Sequence, residues 1–162
     1  LAFQKLSILP TYFLKVTPMK VFILEDESLL RELVKSYIED FTDLEIAGAT
    51  GDGATAMKSI LDLKPDLIMA DIRVPEVSGL EILYLLRRKL PETKVILFTG
   101  SMSPDKVKLA YEGGADAFIQ KGQGLEEFKK AITAVREGRR YFSTYAKNLV
   151  RRIEGEAAAA TV

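Results

Sequence analysis

The sequence predicts an α/β fold: a doubly wound sheet of five parallel strands between two layers of helices, a three-layer sandwich, with a short helix added near the C-terminal end. Three observations predict it. Apolar runs such as Val21–Leu24, Leu67–Ala70 and Val95–Phe98 are short and have no polar face, as in strands buried on both sides of a parallel sheet. Segments with apolar residues at spacings of three and four separate them, the period of helices with one buried face. Strand and helix alternate five times, and right-handed crossovers then place helices on both faces.

The elements follow in order. Val21–Leu24 is the first strand. Residues 28–40 form the first helix, with Ser28 as its expected cap and Leu29, Leu30, Leu33, Val34, Tyr37 and Ile38 facing a core. Glu45–Ala49 is the second strand. Asp52 caps a second helix running to Leu63, with Ala56, Met57, Ile60 and Leu61 inward, and Pro65 follows it. Leu67–Ala70 is the third strand, and Gly79–Lys89 the third helix, on the periodicity of Leu80, Leu83, Leu86 and Leu90. Val95–Phe98 is the fourth strand. Ser103 and Pro104 open a fourth helix that stops at Gly113 and Gly114. Ala117–Ile119 is a short fifth strand and Leu125–Glu137 the fifth helix. Ser143 caps a sixth helix from Thr144 to about Ile153, and the tail EGEAAAATV is expected to fray.

Composition narrows the chemistry. The chain of 162 residues contains no cysteine and no histidine, so thiolate or imidazole metal sites and histidine nucleophiles are excluded. Lysine plus arginine equals aspartate plus glutamate, 23 each, which gives no overall steering toward nucleic acid or an anionic membrane. No run reaches the roughly twenty apolar residues of a membrane span. The N-terminal stretch lacks the pattern of a signal peptide. Met19 reads as a natural start, leaving residues 1–18 as an extension, either vector-derived or a real packing arm. The absence of cysteine fits a cytoplasmic location.

Ligands of doubly wound sheets bind beyond the carboxyl ends of the strands. Glu25, Asp26 and Glu27 follow the first strand, Asp71 the third, Thr99 and Gly100 the fourth, and Lys121 the fifth. Taken singly, each has a plain reading: a solvated helix entrance, a turn acid before Pro75, a strand-end hydroxyl, a surface lysine. Together, at four strand ends of one sheet, they read as a site. If the first and third strands are neighbours, Glu25 or Asp26 lies near Asp71, and carboxylates about 4 Å apart repel by roughly 4 kcal/mol at an effective dielectric near 20. A cation must offset this. Oxygen ligands alone point to Mg²⁺ on one side of Asp71, with the Lys121 ammonium on the other. One oxygen of Asp71 is then left as a nucleophile for a phosphoryl group.

The stretches VFILEDE, DLIMADIRVPEVSGLEIL, VILFTG and GADAFIQKG resemble the receiver domain of two-component response regulators, over about residues 20–138. The resemblance implies a flavodoxin-like sheet of order 2-1-3-4-5. It implies that Glu25 and Asp26 hold Mg²⁺ with Asp71 and the backbone carbonyl of Arg73. Asp71 is then the phosphoacceptor, Thr99 the switch hydroxyl, Phe118 the switch aromatic and Lys121 the conserved-type lysine. Departures are Glu25 where Asp is usual, Ser78 for the frequent Asp before Gly79, where serine still caps the third helix, Gly100 for a common alanine, and Gly122 for a frequent proline. None removes a required group.

The segment EEFKKAITAVREGRRYFS is similar to the end of a LuxR/NarL-type receiver. This implies a receiver domain at 19–140 and a linker helix and tail at 141–162. A DNA-binding helix-turn-helix does not fit into the residues that follow, so the chain reads as truncated or as a single-domain regulator. The implied function is a signalling switch rather than a turnover enzyme, catalysing only its own phosphorylation and dephosphorylation. Its partners would be a sensor histidine kinase and a second copy in a homodimer, with DNA reached only through another domain and no membrane contact. Three rivals stand beside it. A haloacid-dehalogenase-like phosphatase would need an acid where Arg73 stands. A flavodoxin-like cofactor binder would need a Ser/Thr/Gly-rich loop where Glu25–Glu27 stand. A phosphorylation-independent pseudo-receiver would not need Asp71, Asp26, Thr99 and Lys121 all intact. The basic residues Arg139, Arg140, Lys147, Arg151 and Arg152 read as a solvated face rather than a nucleic-acid contact.

Overall fold

The computed structural model describes residues 17–40 and 43–161. It contains β1 (Met19–Leu24), α1 (Ser28–Glu39), β2 (Leu44–Thr50), α2 (Gly53–Leu63), β3 (Leu67–Asp71), α3 (Gly79–Lys89), β4 (Lys94–Thr99), α4 (Pro104–Glu112), β5 (Ala117–Gln120), α5 (Leu125–Arg136), β6 (Tyr141–Phe142) and α6 (Thr144–Ala160). The sheet order is β2-β1-β3-β4-β5-β6, with every pairing parallel. The expected five strands are therefore six. The sixth is only two residues long, and its hydrogen-bonding to β5 rather than any run of its own defines it. Most of the expected extension, residues 1–16, lies outside the described residues, as does the terminal residue 162.

Two apolar clusters flank the sheet. One joins Val34 and Ile38 of α1 with Phe128, Ala131, Ile132 and Val135 of α5. The other joins α2, α3 and α4 through Ile60, Leu83, Leu86 and Ala110, and takes in Phe142 and Ala146. This is the predicted three-layer arrangement. The first helix differs from its reading. Leu29 is 76% and Leu33 47% exposed, so its apolar pattern is wider than the face it buries. Ser28 begins α1 rather than capping it. The cap position is Glu27, with no side-chain cap bond. The tail also departs from expectation: α6 continues to Ala160, in keeping with the high helix propensity of its four alanines. Ser143 sits at the cap position of α6, yet its hydroxyl donates to Met102 Sδ instead.

The predicted caps of α2 and α3 are in place. Asp52 accepts from the Thr55 amide at 2.7 Å. Ser78 and Glu81 form a reciprocal capping box, with Ser78 Oγ accepting from the Glu81 amide and Glu81 Oε2 from the Ser78 amide. Ser78→Ala is expected to cost about 1 kcal/mol in urea unfolding. An unchanged midpoint would show that the loop ahead of α3 holds the helix start without the cap.

Tyr141 ties β6 to α5, its hydroxyl donating to Glu127 Oε2 at 2.9 Å. Burial first, and then this bond, push the phenol from 10.0 up to about 12. A folded value above the unfolded one favours the protonated form, so its contribution is full below about pH 10 and fades as pH rises toward 12. The stability difference between the parent and Tyr141→Phe should be constant at neutral pH and shrink above about pH 10. A difference that stays constant into that range would contradict the bond.

Candidate functional site: an acidic pocket with one ammonium

The parallel register brings the strand ends to one edge. Leu24 pairs with Ala70, Asp71 with Phe98, and Thr99 with Gln120. The first polar residue after each apolar run therefore emerges beside its neighbours. Carboxylate oxygens of Glu25, Asp26 and Asp71 lie within 4.8 Å of one another. Lys121 Nζ sits between two of them, 2.6 Å from Glu25 Oε2 and 2.7 Å from Asp71 Oδ2. Four residues predicted from separate stretches of sequence thus meet in space.

The pocket is electrostatically unequal. Glu25 is 0% exposed. Burial pushes its carboxyl above the usual range, opposed by Lys121 and by the Glu27 amide, which donates to Oε1 at 3.0 Å. Glu25 Oε2 has the Lys121 ammonium as its ion-pair partner at 2.6 Å and no other polar partner among the described residues. Burial pulls the Lys121 ammonium down, but its bonds to Asp71 and Glu25 outweigh this and hold it above its usual value. Asp26 is exposed at the rim. Two buried carboxylates and one exposed carboxylate, with oxygens within 4.8 Å of one another, suit a hard divalent cation, and the set fits Mg²⁺.

Neither oxygen of Asp71 is free of partners, contrary to the sequence reading. Oδ1 accepts from the Arg73 amide at 2.9 Å and Oδ2 from Lys121. Each carboxylate oxygen retains a second lone-pair direction. Thr99 is 0% exposed and does not reach toward Asp71: its hydroxyl donates to the Ser101 carbonyl at 3.1 Å and accepts from the Ser101 amide at 3.3 Å. Phe118 is 0% exposed, already packed into the cluster under α4. Arg73 places its guanidinium near Gly100, where a Cβ would lie 3.7 Å from Nη2.

Two supports were not singled out in the sequence. Arg31 Nη1 donates to the Glu25 carbonyl at 2.6 Å and the Asp26 carbonyl at 3.4 Å, pinning the acidic loop. Its position one turn into α1, after the acids, was the only available signal. Gly79 lets α3 approach the end of β3, because a Cβ there would lie 2.5 Å from the Asp71 carbonyl oxygen. Gly122, at the expected departure from proline, has φ +87, which a glycine adopts without strain. Among the basic residues, Arg140 is not a plain solvated charge. It donates to the Ala115 and Tyr111 carbonyls and stacks 4.3 Å over the Tyr111 ring.

The chain matches the response regulator receiver domain family over residues 21–133. It is 32% identical over 125 residues to the response regulator GacA of Pseudomonas aeruginosa, covering 77% of this chain and 58% of that protein. It is 29% identical over 115 residues to the response regulator protein VraR of Staphylococcus saprophyticus, covering 71% of this chain and 55% of that one. The chain thus spans somewhat over half the length of the curated relatives it matches. Among solved structures, it is similar to a DNA-binding response regulator of the LuxR family from Staphylococcus aureus, with TM-score 0.67, 32% identity, and coverage of 71% of this chain and 96% of that chain. It is also similar to the signal receiver domain of the response regulator NarL from Mycobacterium tuberculosis, with TM-score 0.70, 28% identity, and coverage of 75% and 98%.

Proposed function

Because this chain belongs to the response regulator receiver domain family, we propose that it is a phosphorylation-controlled switch whose phosphoacceptor is Asp71. The observation that carries the reading is the Lys121 ammonium held by both Glu25 and Asp71, beside an oxygen triad suited to one divalent ion. Mg²⁺, held by Glu25, Asp26, Asp71 and the Arg73 carbonyl, would offset negative charge on the phosphoryl oxygens. An Asp71 oxygen attacks the phosphorus of a phosphohistidine on a sensor kinase. The P–O bond forms as the P–N bond breaks, and the imidazole leaves with the bonding pair and takes up a proton. Lys121 exchanges its bond to Asp71 Oδ2 for one to a phosphoryl oxygen, and Thr99 turns its hydroxyl from Ser101 toward the same group.

Phe118 is the aromatic that repacks with Thr99, and α4, β5 and α5 carry the change to a partner or a second copy. Phe118 is buried before any phosphoryl group arrives, so its part in the switch is a change of neighbours within the core. In this reading the compartment is the cytoplasm, where kinases present phosphohistidine. Among the described residues no helix is long and apolar enough to cross a membrane. Control of transcription would require a separate DNA-binding domain.

The test is intact-mass analysis after incubation with phosphoramidate and Mg²⁺. One added phosphoryl group, lost when a chelator replaces Mg²⁺, is expected. Full labelling in the chelator would remove the metal from the reading, and no labelling at all would remove the function. Release of phosphate over many turnovers would favour the phosphatase alternative.

A further inference from the structure

We propose that residues 141–160 are an internal ligand of the surface formed by α4 and β5, and that their docking opposes the phosphorylated state of Asp71. The second half rests on the function proposed above. Three sets of contacts seat the segment. β6 pairs along the outer edge of β5, with Tyr141 opposite Ala117 and Phe142 opposite Phe118. Phe142 and Ala146 enter the same core cluster as Phe118, Val107 and Ala110, and Leu149 and Val150 pack against it. Tyr111 of α4 then joins the pieces: its ring meets Phe142 edge-on at 5.7 Å between centroids, and its hydroxyl donates to Glu154 of α6.

A further contact links this docking to the pocket. Ser143, at the start of α6, donates to Met102 Sδ at 3.6 Å in the loop between β4 and α4. The neighbouring Ser101 holds the Thr99 hydroxyl through its amide and carbonyl. Turning Thr99 toward a phosphoryl group breaks both bonds and frees the loop that Ser143 touches. The same loop leads directly into α4, on which Tyr111 holds Glu154. Docked α6 and a turned Thr99 therefore compete, and coupling of this kind is reciprocal. The occupant of the surface is this chain's own segment. A second copy or another protein that uses α4 and β5 must first displace it.

Hydrogen exchange on the full chain tests the proposal, with Glu154→Gln as a mild variant and Val150→Asp/Glu154→Gln as a strong one. Neither substituted residue belongs to the acidic pocket, and protection of β1 to β4 reports that each variant is folded. The strong variant should raise exchange in residues 144–160 by about tenfold and also raise it in residues 100–112. Unchanged exchange in α6, or a loosened α6 with residues 100–112 unaffected, overturns the internal-ligand reading. With phosphoramidate and Mg²⁺, the strong variant should gain its phosphoryl group about threefold faster than the parent, and the labelled parent should exchange faster in α6. Equal rates, or unchanged exchange in labelled protein, overturn the coupling. If no protein is labelled, the coupling falls with the function it rests on, and the exchange comparison alone judges the docking.

Discussion

Asp71→Asn is expected to abolish labelling by phosphoramidate, with a rate below about one-hundredth of the parent's. The amide keeps the shape of the carboxylate but lacks the negative oxygen that attacks phosphorus. It also removes one of three carboxylates that lie within 4.8 Å of each other. At that separation and an effective dielectric near 20, a pair of carboxylates repels by roughly 3–4 kcal/mol. Losing Asp71 therefore relieves repulsion while it removes a partner of Lys121. The ammonium keeps its contact with Glu25 at 2.6 Å. The fold should survive, with a thermal midpoint close to the parent's, so that loss of labelling reports chemistry rather than unfolding. Equal labelling of parent and variant would move the acceptor to another residue, and peptide mapping would find it.

Lys121→Met is expected to give the largest loss of stability of any change at the site, about 3 kcal/mol without divalent ions. The side chain is 18% exposed, and its two partners are nearly or fully buried. Its removal leaves Glu25 and Asp71 facing each other with no cation between them. The loss stays near the lower end of the range for broken buried pairs because Glu25, already raised by burial, can take up a proton. That relief makes the loss smaller at mildly acidic pH than at neutral pH. Mg²⁺ should restore part of the stability, since a divalent ion supplies the missing positive charge. Thermal unfolding of parent and variant in chelator and in Mg²⁺ checks all three points. A variant as stable as the parent in chelator would show that the ammonium is not the counter-charge of the pocket.

The core strands and the α3 cap were legible in the sequence for a simple reason. An apolar run buried on both faces must end where the chain leaves the core, and the next polar residue marks the exit. Asp71 and Glu25 were found this way, while Lys121 stands one residue beyond Gln120, the first polar residue after its run. Ser78 was legible because a capping serine acts on amides three residues away. The misreadings share the opposite property. Leu29 and Leu33 fit the helical period, but period alone does not set the width of the buried face. Ser28 had the right chemistry for a cap but stands one residue inside the helix. β6 has only two residues, and no local pattern distinguishes it from a turn.

The order of polar tips at one edge of a doubly wound sheet, and so the family resemblance, followed from the sequence by itself, because burial and period act over a few neighbouring residues. The tertiary structure decided what those tips do to one another. Lys121 reaches Asp71 across 50 positions of chain, Glu25 is sealed beneath the ammonium, Thr99 turns to Ser101, and α6 lies on α4. These are contacts between segments far apart in the chain, and their directions depend on the packing of side chains that no local spacing encodes.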